Sequence, residues 1–553
     1  MNSLPIQKGK CNMRSSAVLQ NTPSTQHYTE QTKAETPEPA GSSQPKFQQF
    51  EGLSSRPRPA IGKAPRQTSK PNMQGRLVVV SNRMIDPKKP AAGGVAVALE
   101  ETMRDNEDLW LGWSGKVGGR LGTQEVKTES FGKSKLAGID LTRKQFDNYY
   151  SGFCNSALWP VMHNSAQWAD FNPEFYGSYR QVNKMFASKL APMLKQDDVL
   201  WIHDYHLIPL AEELRKLGCK QRIGFFNHTP FPTPDVFKEI PQHKELMKAF
   251  FAYDLVGMQI PRDVQNFRDY VANEKVGNNI DDRSIEAFGQ KTNVQHFPIG
   301  IDIPSLEALQ AGEDSAELVN HLKKERKQGR TLMIGVERLD YSKGIPDRLA
   351  ALGDMLEKRS DLRNKVTFVQ IAAPSRQNVP AYAKLASDTR TLVDNINRRY
   401  GTKSWSPIMY IDHSVNRNAL PEIYRMSRVG VITSKADGMN LVSKEYVAAQ
   451  DPKNPGVLVL SEGAGSAYQL KEALQIPPED RAAITGAYET ALGMHLGERR
   501  KRHGPLLENV QTQNLGKWRS DCLAPLYADP SASTGSAGDH PVPAPQSKRR
   551  RTS

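Results

Sequence analysis

From residue 76 onward, short runs of β-branched and aromatic residues alternate with stretches whose apolar positions recur at helical spacing. Arg76-Leu-Val-Val-Val-Ser-Asn-Arg83 reads as a buried strand, followed by the turn Ala91-Ala-Gly-Gly94 and a helical stretch over residues 95–106. Residues 109–113 read as the next strand and 171–194 as a long amphipathic helix. Val199-Leu-Trp-Ile-His203 and Arg222-Ile-Gly-Phe-Phe-Asn227 are two more buried strands with a helix at 207–217 between them; 255–259 and 294–298 continue the series. After the turn Gly300-Ile-Asp-Ile-Pro304 the alternation begins again. It runs through helix 315–328, strand 331–336, helix 346–357, strand 366–372, helix 382–399, strand 408–411, helix 420–427, strand 428–433, a loop and helix, and strand 456–460.

Strand and helix in succession predict parallel sheets covered by helices on both faces. Two such series, parted near residue 300, predict an α/β protein of two doubly wound, Rossmann-like domains, 76–300 and 301–480, facing across a ligand crevice between their strand ends. Residues 481–527 read as helices that return to the first domain. A chain of 553 residues exceeds the size at which a single core keeps growing, which agrees with two domains. Residues 1–75 are rich in Pro, Ser, Thr and Gln without either period, and 528–553 are of low complexity, so both are expected to be disordered and dispensable for catalysis.

Charge changes this picture little. Residues 1–75 carry a net +6 and 528–553 a net +2, leaving +6 of the chain's +14 for the body. That remainder suits an enzyme handling anionic phosphates as well as a nucleic-acid binder. Because the excess lies substantially in the tails, no nucleic-acid partner is expected, and the basic run Lys548-Arg-Arg-Arg551 reads as a solvated end. Cys11, Cys154, Cys219 and Cys522 show no pairing or metal spacing, as expected of reduced thiols in a cytoplasmic protein. No apolar run reaches the ~18–20 residues of a membrane span, and no membrane partner is expected. The polar, Ser-rich N-terminal stretch lacks a leader; it would also fit the export segment of an injected bacterial effector, and fits a plain flexible extension better.

The chemistry gathers where the strands end. Strand 428–433 runs into Ala436-Asp-Gly-Met-Asn-Leu-Val-Ser-Lys-Glu-Tyr-Val-Ala-Ala-Gln-Asp451, a loop and a helix start. Asn440 suits the N-cap, and the amides of Leu441 and Val442 then offer a seat for an anionic group. Glu445, a turn further in, can accept two hydrogen bonds from a ribose diol, and Asp437 is free to accept from sugar hydroxyls. Gly93 and Gly94 allow the backbone to approach a ligand closely. Arg338 and Lys343, on one loop, can neutralise a pyrophosphate leaving group without a metal. Arg83 and Arg376, one per domain, can clamp a second phosphate, with Tyr150 and Trp159 as flat walls and Asp204 accepting from hydroxyls. Singly, each has a bland reading as an ion pair, a turn former or an interior side chain; their joint occurrence is the signal. His203-Asp-Tyr-His206 lacks the spacing and the third ligand of a metal site, so neither metal nor cofactor is expected. A Gly-x-Ser-x-Gly elbow and a P-loop are both missing, which removes the hydrolase and triphosphatase readings.

Residues 77–83 with Gly93-Gly94, and residues 110–115, 201–207, 224–233, 336–344 and 437–456, taken in order, resemble the motifs of the trehalose-6-phosphate synthases. The resemblance runs from about residue 76 to 526. It implies a GT-B fold and retaining transfer of glucose from UDP-glucose to glucose 6-phosphate. By motif, it implies that Gly94, Arg338, Lys343, Leu441, Val442 and Glu445 hold the nucleotide sugar. Arg83, Tyr150, Asp204 and Arg376 would hold glucose 6-phosphate, Trp159 would shape the acceptor side, and His228 and Asp437 would address the transferred glucose. His228, Arg338, Lys343 and Asp437 are then the candidate catalytic residues, and a homo-oligomer is expected. Two departures stand out. Asp412-His-Ser-Val415 lacks the aromatic that many members place near the uracil, and Ala372-Ala-Pro-Ser replaces the commoner Ala-Pro-Thr-Ser before Arg376. The alternatives are a sister synthase using another phosphorylated acceptor such as glycerol 3-phosphate, or a catalytically silent regulatory protein.

Overall fold

The computed structural model describes residues 75–87, 99–100, 103, 106–120, 124–376 and 379–528. The expectations for residues 1–74 and 529–553, for Gly93 and Gly94, and for most of helix 95–106 lie outside the described residues. Two sheets organise the remainder. The first contains β1 (Leu77–Arg83), β2 (Leu109–Val117), β3 (Val126–Phe131), β4 (Ser134–Leu141), β5 (Val199–His203), β6 (Arg222–Phe226), β7 (Leu255–Met258), β8 (Gly277–Asn279), β9 (Ser284–Ala287) and β10 (Gln290–His296). Their order is β3-β4-β2-β1-β5-β6-β7-β10-β9-β8. The second is ordered β13-β12-β11-β14-β15-β16 and is built from β11 (Thr331–Arg338), β12 (Val366–Ala373), β13 (Ile408–Ile411), β14 (Val429–Ile432), β15 (Val457–Ser461) and β16 (Leu474–Ile476).

The second sheet is parallel throughout, as the alternation predicts. The first is not: β3 pairs antiparallel with β4, and β8 and β9 form antiparallel edges beyond β10. These edge strands carry no sequence signal because they are short and polar; β3 and β8 are exposed on both faces and lack the apolar run of a doubly covered strand. Both faces of the central strands are buried. Val78 and Val80 enter one core while Leu77 and Val79 enter the opposite one, and Leu332 and Ile334 are parted from Met333 in the same way.

The C-terminal helices divide between the sheets. Arg481–Gly493 and Leu496–Thr512 pack on the second sheet, through Tyr488, Leu506 and Val510. Only Leu515–Tyr527 returns to the first. Its Leu515, Trp518, Cys522, Leu523 and Leu526 form one buried stripe, with Trp518 5.0 Å from the Trp201 ring and Leu526 seated over Gly224 of β6. Each large aliphatic side chain so buried contributes about 1.5–3 kcal/mol. The chain therefore crosses between the sheets twice, and the crossings lie together. The Leu515 amide donates to the Ile301 carbonyl at 3.2 Å, and a Cβ on Gly300 would lie 2.3 Å from the backbone of residues 513–514. Among the described residues no helix is long and apolar enough to cross a membrane.

Candidate active site

Every described residue singled out from the sequence lies at the C-terminal end of a strand or on the loop or helix that follows. Arg83 closes β1; its guanidinium carbon is 5.6 Å from the Trp113 ring, and it crosses Gly115, whose φ of +87° and missing Cβ leave it room. Trp113 lies 5.4 Å from Tyr150, and Tyr150 stacks 6.1 Å from His206. Tyr150 sits in an irregular helix, Phe146–Leu158, that runs directly into Trp159. This aromatic series joins Arg83 to the loop after β5.

Asp204 begins that loop with a φ of 77°, an uncommon conformation for a residue with a side chain. Its Oδ1 accepts from the amides of Tyr205 at 3.1 Å and His228 at 3.2 Å, which fixes two loops on one carboxylate. Burial nonetheless raises its pKa to about 6, against the pull of these amides, Arg376 and Arg338. His228 follows β6, its Nε2 3.1 Å from His203 Nδ1, and burial lowers its pKa to about 3, so it is a neutral imidazole. A neutral ring at this place can exchange hydrogen bonds with a hydroxyl but supplies no charge.

The second sheet supplies the cations. Arg338 ends β11 exposed, with its guanidinium carbon 5.3 Å from the Trp159 ring. Arg376, in the loop after β12, lies closer, at 3.7 Å from the same ring. Trp159 is thus not the open wall expected; the Arg376 guanidinium lies against its ring, a favourable cation–π contact, with the exposed Arg338 farther out. Lys343 Nζ donates to Asp437 Oδ2 at 2.6 Å. Asp437 is therefore not free, as the sequence reading had it. The two side chains converge where each alone would be a largely buried, unpaired charge, and pairing removes that cost. Burial opposes the Asp437 charge, yet Lys343 holds its pKa below the ordinary range.

Asn440 caps the helix Leu441–Ala449, accepting from the Ser443 amide at 3.1 Å, and leaves Leu441 and Val442 at the helix start as anticipated. Glu445 is partly buried, with the Tyr424 hydroxyl 3.5 Å from Oε2; burial raises its pKa despite Arg417 and that hydroxyl. The loop before this helix touches the other sheet's half directly. A Cβ on Gly438 would stand 2.0 Å from the His228 carbonyl oxygen, so only glycine brings Asp437 beside the β6 loop.

Sequence reasoning passed over the residues beneath this surface. Asp340, fully buried, accepts from Arg376 Nη1 at 2.8 Å and from the Tyr382 hydroxyl at 2.9 Å. Burial raises its pKa, but Arg376, Arg338 and Lys343 outweigh this and hold it well below the carboxylate range. Glu337 and Arg348 form a second buried pair at 2.5 Å under the Lys343 and Asn440 loops. Lys444 is buried and ties the Leu441–Ala449 helix to the first crossing through the Ile299 carbonyl at 2.6 Å. The available signal was proximity: Asp340 lies between Arg338 and Lys343, and Lys444 precedes Glu445. Among the described residues no group of three or more His, Cys, Asp and Glu is placed to hold a metal.

A model of glycosyltransferase family 20 matches residues 72–528. The trehalose-6-phosphate synthase of Klebsiella pneumoniae is 42% identical over 447 residues, covering 80% of this chain and 94% of that protein. The UDP-forming α,α-trehalose-phosphate synthase of Burkholderia xenovorans, solved in complex with glucose-6-phosphate, superposes with a TM-score of 0.78 at 39% identity, over 82% of this chain and 100% of that one. An Escherichia coli structure bound with UDP-2-fluoro glucose gives 0.78 and 39%, over 82% and 99%. The two facing sheets are those of a GT-B fold, and the chain belongs to glycosyltransferase family 20.

Proposed function

We propose that the protein is an α,α-trehalose-phosphate synthase that transfers glucose, with retention, from UDP-glucose to glucose 6-phosphate, giving trehalose 6-phosphate and UDP. The observation that carries this reading is the meeting of Arg338 and Arg376, from the second sheet, over Trp159, from the first, with the Lys343–Asp437 pair on the adjoining loops. Two anionic substrates need two cationic seats in one cleft. Arg338, Lys343 and the amides of Leu441 and Val442 form the donor's seat, with Glu445 accepting from the ribose diol. Arg376 and Arg83 form the acceptor's phosphate seat, with Tyr150 and Asp204 on the sugar.

No residue is assigned as a nucleophile opposite the leaving group, and a front-face course fits the inventory better than a double displacement. The bond from the anomeric carbon to the UDP oxygen breaks first, with Arg338, Lys343 and the helix start stabilising the charge on the departing phosphate. The acceptor hydroxyl then attacks from the same side and passes its proton to that phosphate. His228 and Asp437 orient the hydroxyls of the transferred glucose. Catalysis on this reading is positioning and charge stabilisation, and it needs no metal or cofactor.

The direct test is incubation with UDP-glucose and glucose 6-phosphate and identification of the disaccharide. Trehalose 6-phosphate with stoichiometric UDP is expected. Turnover with glycerol 3-phosphate in place of glucose 6-phosphate would identify a sister synthase, and no turnover of either would reject an enzymatic role.

A further inference from the structure

A cavity of about 350 Å³ opens at the N-terminal ends of the second sheet's central strands, where Thr331 begins β11 and Arg428 precedes β14. The eight residues of β11 separate it from Arg338 by about 23 Å, so it is remote from the cleft. Four arginines line it, Arg326, Arg330, Arg425 and Arg428, of which Arg330 spends both Nη groups on Glu325, Gln328, Asn364 and the Ser404 carbonyl. Of these only Arg330 has a carboxylate partner among the described residues, Glu325 at 2.6 Å. Arg425 donates to the Ala449 carbonyl and Arg428 to the Met494 carbonyl, each at 3.0 Å. The exposed Arg326 side chain engages no hydrogen bond or ion pair among the described residues. Arg330 is only 6% exposed, and its Nε, like that of Arg428, is buried with no acceptor.

Nearby acidic groups do not balance this charge. Glu325 already accepts from Arg330 and Thr367, and Glu422 pairs with Lys323. A fifth guanidinium, Arg499, is buried close to Arg428; burial and then the charge of Arg428 depress its pKa. Buried donors without acceptors and like charges without counter-charges are costly unless an anion completes them. Planar guanidinium forks match phosphate oxygens, and a half-open pocket of this volume suits a metabolite.

We propose that this cavity is a second binding site for a small phosphorylated metabolite, independent of the reaction assigned to the cleft. It lies at the opposite end of the donor helix from Leu441 and Val442, since Arg425 holds that helix's last carbonyl and Gln450 lines the cavity.

Inorganic pyrophosphate serves as the probe, titrated calorimetrically into the full chain with UDP saturating. A binding event is expected that is weakened at least tenfold in Arg326→Glu and in Arg428→Gln. It should be unchanged in Arg83→Ala, which removes a cation of the acceptor seat that UDP leaves open, and in Lys133→Glu, a charge reversal on the distant β3–β4 turn. Arg326→Glu removes no contact, so its melting temperature without pyrophosphate should match the parent's and the test stands even if Arg428→Gln fails to fold. Absence of binding overturns the proposal. So does binding that follows Arg83 instead of Arg326, which would place the probe in the cleft, or binding weakened equally by Lys133→Glu, which would be general attraction.

Discussion

The guanidinium carbon of Arg376 lies 3.7 Å from the centre of the Trp159 ring, a contact between the loop after β12 and a helix of the first sheet's half. Asp340 and Tyr382 hold Arg376 from behind. The cation is thus fixed before any substrate arrives, which reduces the ordering cost of binding.

The cationic seats should separate by substitution. Arg338→Ala and Lys343→Ala should lower kcat by about 10²–10³, as expected for loss of charge stabilisation in the transition state. Arg83→Ala and Arg376→Ala should chiefly raise KM for glucose 6-phosphate and spare UDP affinity. Asp340→Asn should reproduce the Arg376 phenotype more weakly, by releasing rather than removing the guanidinium. Because the Asp340 pKa is depressed in the folded protein, its stabilisation is complete above the unfolded pKa and is lost as pH falls below it. Asp340→Asn should therefore flatten the decline of melting temperature below about pH 4. Equal effects of all five substitutions on UDP affinity would merge the two seats into one.

Glu445 should trade stability for binding. Its pKa is raised by burial, so in the unliganded protein its ionisation costs stability that appears as pH rises through the unfolded pKa toward the folded one. Glu445→Gln should remove that cost and melt no earlier than the parent at pH 7. UDP affinity should fall about ten- to over a hundredfold, roughly 1.5–3 kcal/mol for a charged hydrogen bond to the ribose. Normal UDP binding with earlier melting would make Glu445 a structural acid instead.

Asp204 titrates near the working range, with a pKa of about 6. Only the carboxylate accepts fully from sugar hydroxyls, so KM for glucose 6-phosphate should rise as pH falls through about 6 while UDP affinity stays level. The phosphate of the acceptor also titrates near there, so the control is Asp204→Asn: its KM should be high throughout, with the residual slope set by the substrate alone. A parent and variant with parallel pH profiles would remove Asp204 from the acceptor site.

Residues 1–71 and 529–553 fall outside the family match. A chain of residues 72–528 should keep kcat/KM within a few-fold of the parent, measured on both substrates. Loss of turnover by a chain that melts normally would assign a segment outside that match to the site.

Much of this protein can be read from one dimension, because a strand covered on both faces and an amphipathic helix each have a local signature. The runs at 77–83, 199–203 and 331–336, the Asn440 cap and the gathering of Arg83, Asp204, His228, Arg338 and Asp437 at strand ends all follow from period and succession. The edge strands β3 and β8 carry no such period, since solvent on both faces removes the demand for apolar residues. Partnership is a different matter. Lys343 and Asp437 stand 94 positions apart, Asp340 and Arg376 36 apart, and Arg376 meets Trp159 only when the two halves face each other. Which carboxylate is free and which is spent on a cation depends on desolvation, and desolvation exists only once distant segments have closed over the charge. The sequence by itself determined which groups are present and on which strand end each stands. The tertiary structure decided which of them neutralise one another, and so which donors and acceptors remain for a ligand.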